Sequence, residues 1–150
     1  MDLQLDWRLD LDAMDFGTGT VLISSVLNYL EEFSVQTLQG QPFQDFAGTI
    51  GTTPLPTWKA LTAVSYRLGP VDVGVRWRHL GDMRDATSVT RPASPSPGVS
   101  AYDLFDLTGR WAVNDTVELR GGITNLADKA PLIVRGLPGT TDPEIGRAHV

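Results

Sequence analysis

The chain contains no cysteine, which removes a disulfide scaffold, a thiolate metal site and a thiol nucleophile from consideration. It is poor in positive charge. Its 12 Lys and Arg stand against 18 Asp and Glu, a net charge of -6, where a nucleic-acid-binding surface calls for a basic face. Histidine occurs only at His79 and His149, without a third ligand at a motif spacing, so no zinc site is indicated. The opening residues, MDLQLDWRLD, lack the basic and apolar regions of a signal peptide. No apolar run approaches the roughly 18 residues of a membrane-spanning helix. This last absence excludes only one kind of membrane protein, because a β-barrel strand turns just its alternate residues toward lipid.

What the chain does have is period-two patterning. Leu3, Leu5, Trp7, Leu9 and Leu11 alternate with Asp2, Gln4, Asp6, Arg8, Asp10 and Asp12, the signature of a half-buried strand. Residues 20–37 form a second, less regular run; its imperfect alternation also admits a helical reading of part of it, but its β-branched residues and Ser24, Ser25 and Asn28 favour strand. In residues 58–68, Trp58, Ala60, Thr62, Val64, Tyr66 and Leu68 make one face, and Lys59, Leu61, Ala63, Ser65 and Arg67 the other. Val71, Val73, Val75 and Trp77 then oppose Asp72, Gly74, Arg76 and Arg78. Residues 102–128 read as a hairpin with a tight Asn114-Asp115 turn. Its second arm sets Val117, Leu119, Gly121 and Ile123 against Glu118, Arg120, Gly122 and Thr124, and it closes on a polar corner from Asn125 to Asp128.

The fold class is therefore all-β and antiparallel, with about six strands, within the strand count of a single sheet. The connections alternate in length. Residues 13–19, 69–70 and 114–115 are short. Residues 38–56 and 81–100, rich in Gly, Thr and Pro, are long, with Pro92, Pro95 and Pro97 blocking ladder hydrogen bonds. Outer-membrane barrels have short periplasmic turns and long external loops. Strands near ten residues also suit a tilted bilayer crossing better than an ordinary sheet, whose strands run about five or six residues. Trp58 and Trp77 lie near strand ends, where an interfacial girdle would place them. The alternative is a soluble antiparallel β-sandwich, a binding module for carbohydrate in one version.

The side chains offer little to an enzyme. Asp2, Asp6, Asp10 and Asp12 line one strand face, more simply a solvated or lumen-facing row than an acid/base pair. Asp103 and Asp106 differ by three residues and fall on opposite faces. Ser24-Ser25 lacks the setting of a nucleophile elbow, and Gly17-Thr18-Gly19 has no lysine for a phosphate loop. No catalytic, cofactor-binding or metal-binding residue is expected, and none of the long-loop residues can be named as a ligand contact. Asn125 and Asp128 are expected to cap their own backbone at a corner.

Several segments resemble the C-terminal part of the β-barrel of TonB-dependent outer-membrane receptors. They are Gly48-Thr49-Ile50-Gly51, Pro56-Thr57-Trp58-Lys59, Trp77-Arg78-His79-Leu80-Gly81, and Tyr102 with Phe105-Asp106-Leu107. The fullest runs from Leu119-Arg120-Gly121-Gly122-Ile123-Thr124 through Asn125-Leu126-Ala127-Asp128 to Lys129-Ala130-Pro131. Ala127 departs from the family's pattern, which commonly has an aromatic there. The resemblance covers nearly the whole chain and implies a partial wall of a barrel of about 22 strands around a plug domain. It implies uptake of a scarce nutrient such as a ferric siderophore, a corrinoid or a sugar, with no covalent chemistry and no cofactor. The implied partners are a TonB-type energy-coupling protein, reached through regions not in this chain, the barrel-assembly machinery, outer-membrane lipid and the small nutrient ligand. Nucleic acid is not among them.

On this reading residues 1–143 are a partial C-terminal barrel in the outer membrane. Residues 144–150 are expected to be a non-native tail, since Glu-Ile-Gly-Arg-Ala-His-Val back-translates to a common sequencing adapter. The other reading of that tail is an ordinary C-terminal segment. The resemblance also assigns sides. Lys59, Arg67, Arg76, Arg78, Arg110, Glu118 and Arg120 are expected to face the lumen, and Val71, Val73, Val75, Val117, Leu119 and Ile123 the lipid, where an Arg at mid-depth costs about 2–4 kcal/mol.

Overall fold

The structure, a computed structural model, describes residues 1–93 and 98–131. The expected tail 144–150 lies outside the described residues, as do Pro95 and Pro97. The strands are β1 Asp2–Asp10, β2 Thr20–Tyr29, β3 Ser34–Val35, β4 Gln44–Asp45, β5 Thr49–Ile50, β6 Trp58–Leu68, β7 Val71–Leu80, β8 Arg84–Asp85, β9 Tyr102–Ala112 and β10 Glu118–Ile123. One turn of helix, α1, covers Thr87–Thr90.

Six strands form one antiparallel meander in the order β1-β2-β6-β7-β9-β10. Each pairs with its neighbour along almost its full length, so the register follows the hydrophobic pattern across the sheet. One unbroken row reads Trp7, Ile23, Val64, Val75, Leu107, Ile123. The row one residue along reads Arg8, Leu22, Ser65, Gly74, Thr108, Gly122. One face of the sheet is thereby apolar and the other polar, as the alternation predicts. β6 contains 11 residues. At about 3.3 Å per residue and a tilt near 40°, such a strand spans roughly 25 Å, the height of a barrel's apolar band.

The buried apolar residues are Ile50, Met83, Tyr102 and Leu104, all at the end of the sheet that carries the long connections. The apolar face is left open, with Leu3, Leu5, Trp7, Val64, Val73, Val75, Leu119 and Ile123 all exposed. A sandwich would cover that face with a second sheet. The other sheets here are two-stranded pairs, β3-β4 and β5-β8, built from loop segments. The sandwich alternative therefore does not describe this chain.

Four local expectations need correction. The run 20–37 ends as a long strand at Tyr29, and its tail turns back at β3 to pair with β4. Glu31 and Glu32 put a charge on both faces there, which no half-apolar sheet accommodates. Asp12 leaves the acidic strand row and lies in the first turn, where its Oδ2 accepts the Gly19 N–H at 2.9 Å. The last hairpin connection is wider than a two-residue turn. It occupies residues 113–117, with Asn114 Oδ1 accepting from the Thr116 and Val117 amides at 2.9 and 2.8 Å. The long connections are also not bare loops: β5 from the first lies parallel to β8 from the second.

The short turns are tight for a clear reason at Gly19. Its φ is +98°, and a Cβ there would stand 2.5 Å from the Arg67 carbonyl oxygen. Only glycine allows that approach. Tyr66 secures the same turn by donating its hydroxyl to the Thr18 carbonyl at 2.7 Å.

Candidate functional site

The polar face carries Lys59, Arg67, Arg76, Arg78, Arg110, Glu118 and Arg120, as expected, and Val71, Val73, Val75, Leu119 and Ile123 occupy the opposite one. Val117 stands just before β10. Most polar-face charges are paired across strands. Arg67 meets Asp72 at 3.0 Å. Arg110 donates Nε to Glu118 at 2.7 Å, and Arg120 also reaches Glu118. Arg76 has no hydrogen-bond or ion-pair partner among the described residues. In a water-accessible lumen such a group remains solvated, whereas on a lipid face it would be costly.

One ion pair organises the loop end. Asp106 is only 6% exposed. Its Oδ2 lies 3.1 Å from Arg78, and its Oδ1 accepts the Asn125 amide at 3.0 Å. Asn125 in turn closes the corner. Its Oδ1 accepts the Lys129 N–H at 2.9 Å and its Nδ2 donates to the Lys129 carbonyl at 3.1 Å. Asn125 and Asp128 adopt positive φ, 52° and 46°, a conformation that short polar side chains tolerate better than others. The Asn-Leu-Ala-Asp motif is thus a structural corner, latched to the polar wall through Asp106.

Beside this latch is a hollow of about 470 Å³. Val26, Leu61, Leu80, Tyr102 and Leu104 form its apolar part, with Asn28, Lys59 and Arg78 supplying polar groups. All eight point to the polar side of the sheet by register. Sequence reasoning missed this patch. The only signal was a scatter of apolar residues at the parity otherwise held by charges: Val26 on β2, Leu61 on β6, Leu80 on β7, Leu104 on β9. Concave, mostly apolar surface with a few placed polar groups is the usual form of a small-molecule site.

The two long connections meet at the same end of the sheet. The Arg84 amide donates to the Gly48 carbonyl and the Ala86 amide to the Ile50 carbonyl, both at 2.9 Å. Asp45 Oδ1 accepts the Phe33 and Ala47 amides, each at 2.9 Å. These two N–H groups, assisted by Arg84, hold its carboxyl below the usual carboxylate range. Asp85, nearly buried, accepts the Thr87 amide at 2.7 Å. Described parts of the two connections, residues 38–56 and 81–93, therefore form a cross-braced cap, with Thr49 and Ile50 among its most buried members.

The remaining candidates do not come together as a reactive centre. Asp2 and Asp6 pair with Asn28 and Ser24 along β1. Asp103 and Asp106 lie on opposite faces, as expected. Asp103 instead accepts His79 Nδ1 and Trp77 Nε1, both at 2.8 Å, on the apolar side. Among the described residues no group of three or more His, Cys, Asp or Glu is placed to hold a metal ion.

A meander with one face largely apolar and open, one face charged and cross-paired, short turns at one end and a braced cap at the other is the wall of an outer-membrane β-barrel. The family described as TonB dependent receptor-like, beta-barrel, matches residues 1–126. The chain belongs to that family, whose members are outer-membrane receptors and transporters that work with TonB and take nutrient ligands. No curated protein and no solved structure matches it.

Proposed function

We propose that this segment forms ligand-facing wall in a receptor for energy-coupled uptake of a ferric siderophore, a corrinoid or a sugar. The observation that carries this reading is the loop-end hollow, an apolar recess flanked by Lys59, Arg78 and Asn28. A ligand entering from outside would pass the cap and meet this recess before the deeper, more highly charged part of the wall. The chemistry would be recognition and release, without covalent change. Energy would come from a TonB-type protein acting through parts of the receptor beyond this wall. The barrel-assembly machinery would insert the strands.

The test is growth of a strain dependent on this receptor, with iron chelate, corrinoid or sugar supplied in turn as the limiting nutrient. The variant Leu104→Asp, which puts a carboxylate into the apolar part of the recess, should abolish growth on one nutrient class while the receptor still reaches the outer membrane. Unchanged growth on every class, with the variant correctly located, would refute this placement of the ligand site.

A further inference from the structure

We propose that the lipid-facing side of the sheet carries a built groove for a single acyl chain of an outer-leaflet lipid. The inference rests on the membrane assignment of the apolar face and goes beyond the uptake function. The groove has a volume of about 300 Å³. Its floor consists of three small, half-buried side chains: Ser25 on β2, and Ala60 and Thr62 on β6. Leu5 on β1 and Trp77 on β7 stand on either side. Trp58, at the first position of β6, stands at the loop end. The register explains the shape. Leu5, Ser25, Thr62 and Trp77 lie in one row, so two short residues sit between two large ones. Two residues toward the turns, the corresponding row is Trp7, Ile23, Val64 and Val75, where the depression ends.

The polar atoms in and around the groove suit hydrocarbon. Ser25 Oγ and Thr62 Oγ1 are 2.9 Å apart and hydrogen-bond each other, which lowers the cost of facing an apolar occupant. No charged side chain lines the floor. On the β7 side of the groove, His79 Nδ1 and Trp77 Nε1, from the register partners of Ala60 and Thr62, both engage Asp103 Oδ1 at 2.8 Å. That cluster gives the β7 wall of the groove a polar edge level with its floor, and tryptophan rings favour such mixed surroundings at the membrane interface. The Nε2 of His79 has no protein partner among the described residues, which leaves it available to the ester or headgroup region of a lipid whose chain lies in the groove. Continuity with the lipid-exposed surface, a narrow uncharged floor and a polar group along one wall together select an acyl chain over a protein side chain.

The experiment is native mass spectrometry of the complete receptor, extracted in mild detergent from vesicles of dipalmitoyl phosphatidylcholine and then progressively delipidated. The wild type should keep one lipid after the surrounding annulus is stripped. Ala60→Phe fills the floor and should lower that occupancy by about tenfold, a loss of about 1.4 kcal/mol in affinity. Thr62→Leu, a smaller change, should lower it several-fold. Val73→Phe, on the same face outside the groove, should retain it. A wild type that keeps no lipid would overturn the proposal. So would equal retention in wild type and Ala60→Phe, or a dimer whose second copy occupies the face. If the wild type fails to enter the vesicles at all, the membrane assignment of the face fails with it, and this result is distinguished by sedimentation before extraction.

Discussion

Val75 lies in the middle of β7, with Val64 and Leu107 as its register partners. It is 41% exposed on the open apolar face. In the barrel wall that exposure is to hydrocarbon, so Val75→Arg should destabilise the folded, inserted receptor by about 2–4 kcal/mol. Ser65→Arg places the same charge one row away on the polar face, opposite Leu22 and Gly74. There the guanidinium reaches lumenal water near Arg67 and Arg76, and the cost should stay below about 1 kcal/mol. The two variants should thus differ by roughly 30-fold or more in folding equilibrium constant at the lower end of the range, if the Ser65 cost is near zero. Reversible urea unfolding from lipid vesicles measures both. Equal costs, or a larger cost for Ser65→Arg, would refute the assignment of faces.

Four further outcomes follow from the latch and the cap. Arg78→Met leaves Asp106, nearly buried, with only the Asn125 amide, and should cost about 1–3 kcal/mol in the same unfolding assay, less than a fully buried pair because Arg78 is partly exposed. Asn125→Ala loses both bonds to Lys129 and forces alanine into a left-handed conformation, for about 2 kcal/mol; Asp128→Gly, also at positive φ, should be near neutral or better. Asp45 is a depressed carboxylate outside the membrane strands. Its contribution to cap order is fully present above its unfolded pKa, near 3.9, and is lost as pH falls through its lower folded value. Amide resonances of Phe33 and Ala47 should therefore stay constant from pH 7 to about 5 and move only at more acidic pH, with Asp45→Asn abolishing the transition.

The six long strands and their faces were legible in the sequence because a sheet with two unlike environments imposes a period of two, and these residues keep it. Val71 to Arg78 and Leu119 to Ile123 show it without interruption. The alternation of connection length was legible for a similar reason: turns such as Gly69-Pro70 carry strong local chemistry. The cap was not legible. β5 and β8 are each two residues long, too short for any periodic signature, and their pairing joins segments far apart in the chain. Residues 20–37 misled because Phe33 and Val35 continue the apolar pattern after Glu31 and Glu32 have ended the long strand. The hollow escaped notice because Val26, Leu61, Leu80 and Leu104 look like lapses in alternation on each strand separately. They form a patch only when the register brings them side by side.

The fold requires that one face of this sheet meet lipid and the other lumenal water. The chain has no cysteine, so a cysteine introduced at Val73, Gly74, Val75 or Arg76 on β7 is unique within these residues; with any cysteine elsewhere in the receptor replaced, single nitroxide labels are placed at these four positions and the receptor is reconstituted in vesicles. Oxygen dissolved in the bilayer should relax the labels at Val73 and Val75, and a water-soluble nickel chelate those at Gly74 and Arg76, alternating residue by residue. Uniform accessibility to the nickel chelate along the four positions, or alternation of the opposite phase, would contradict the account.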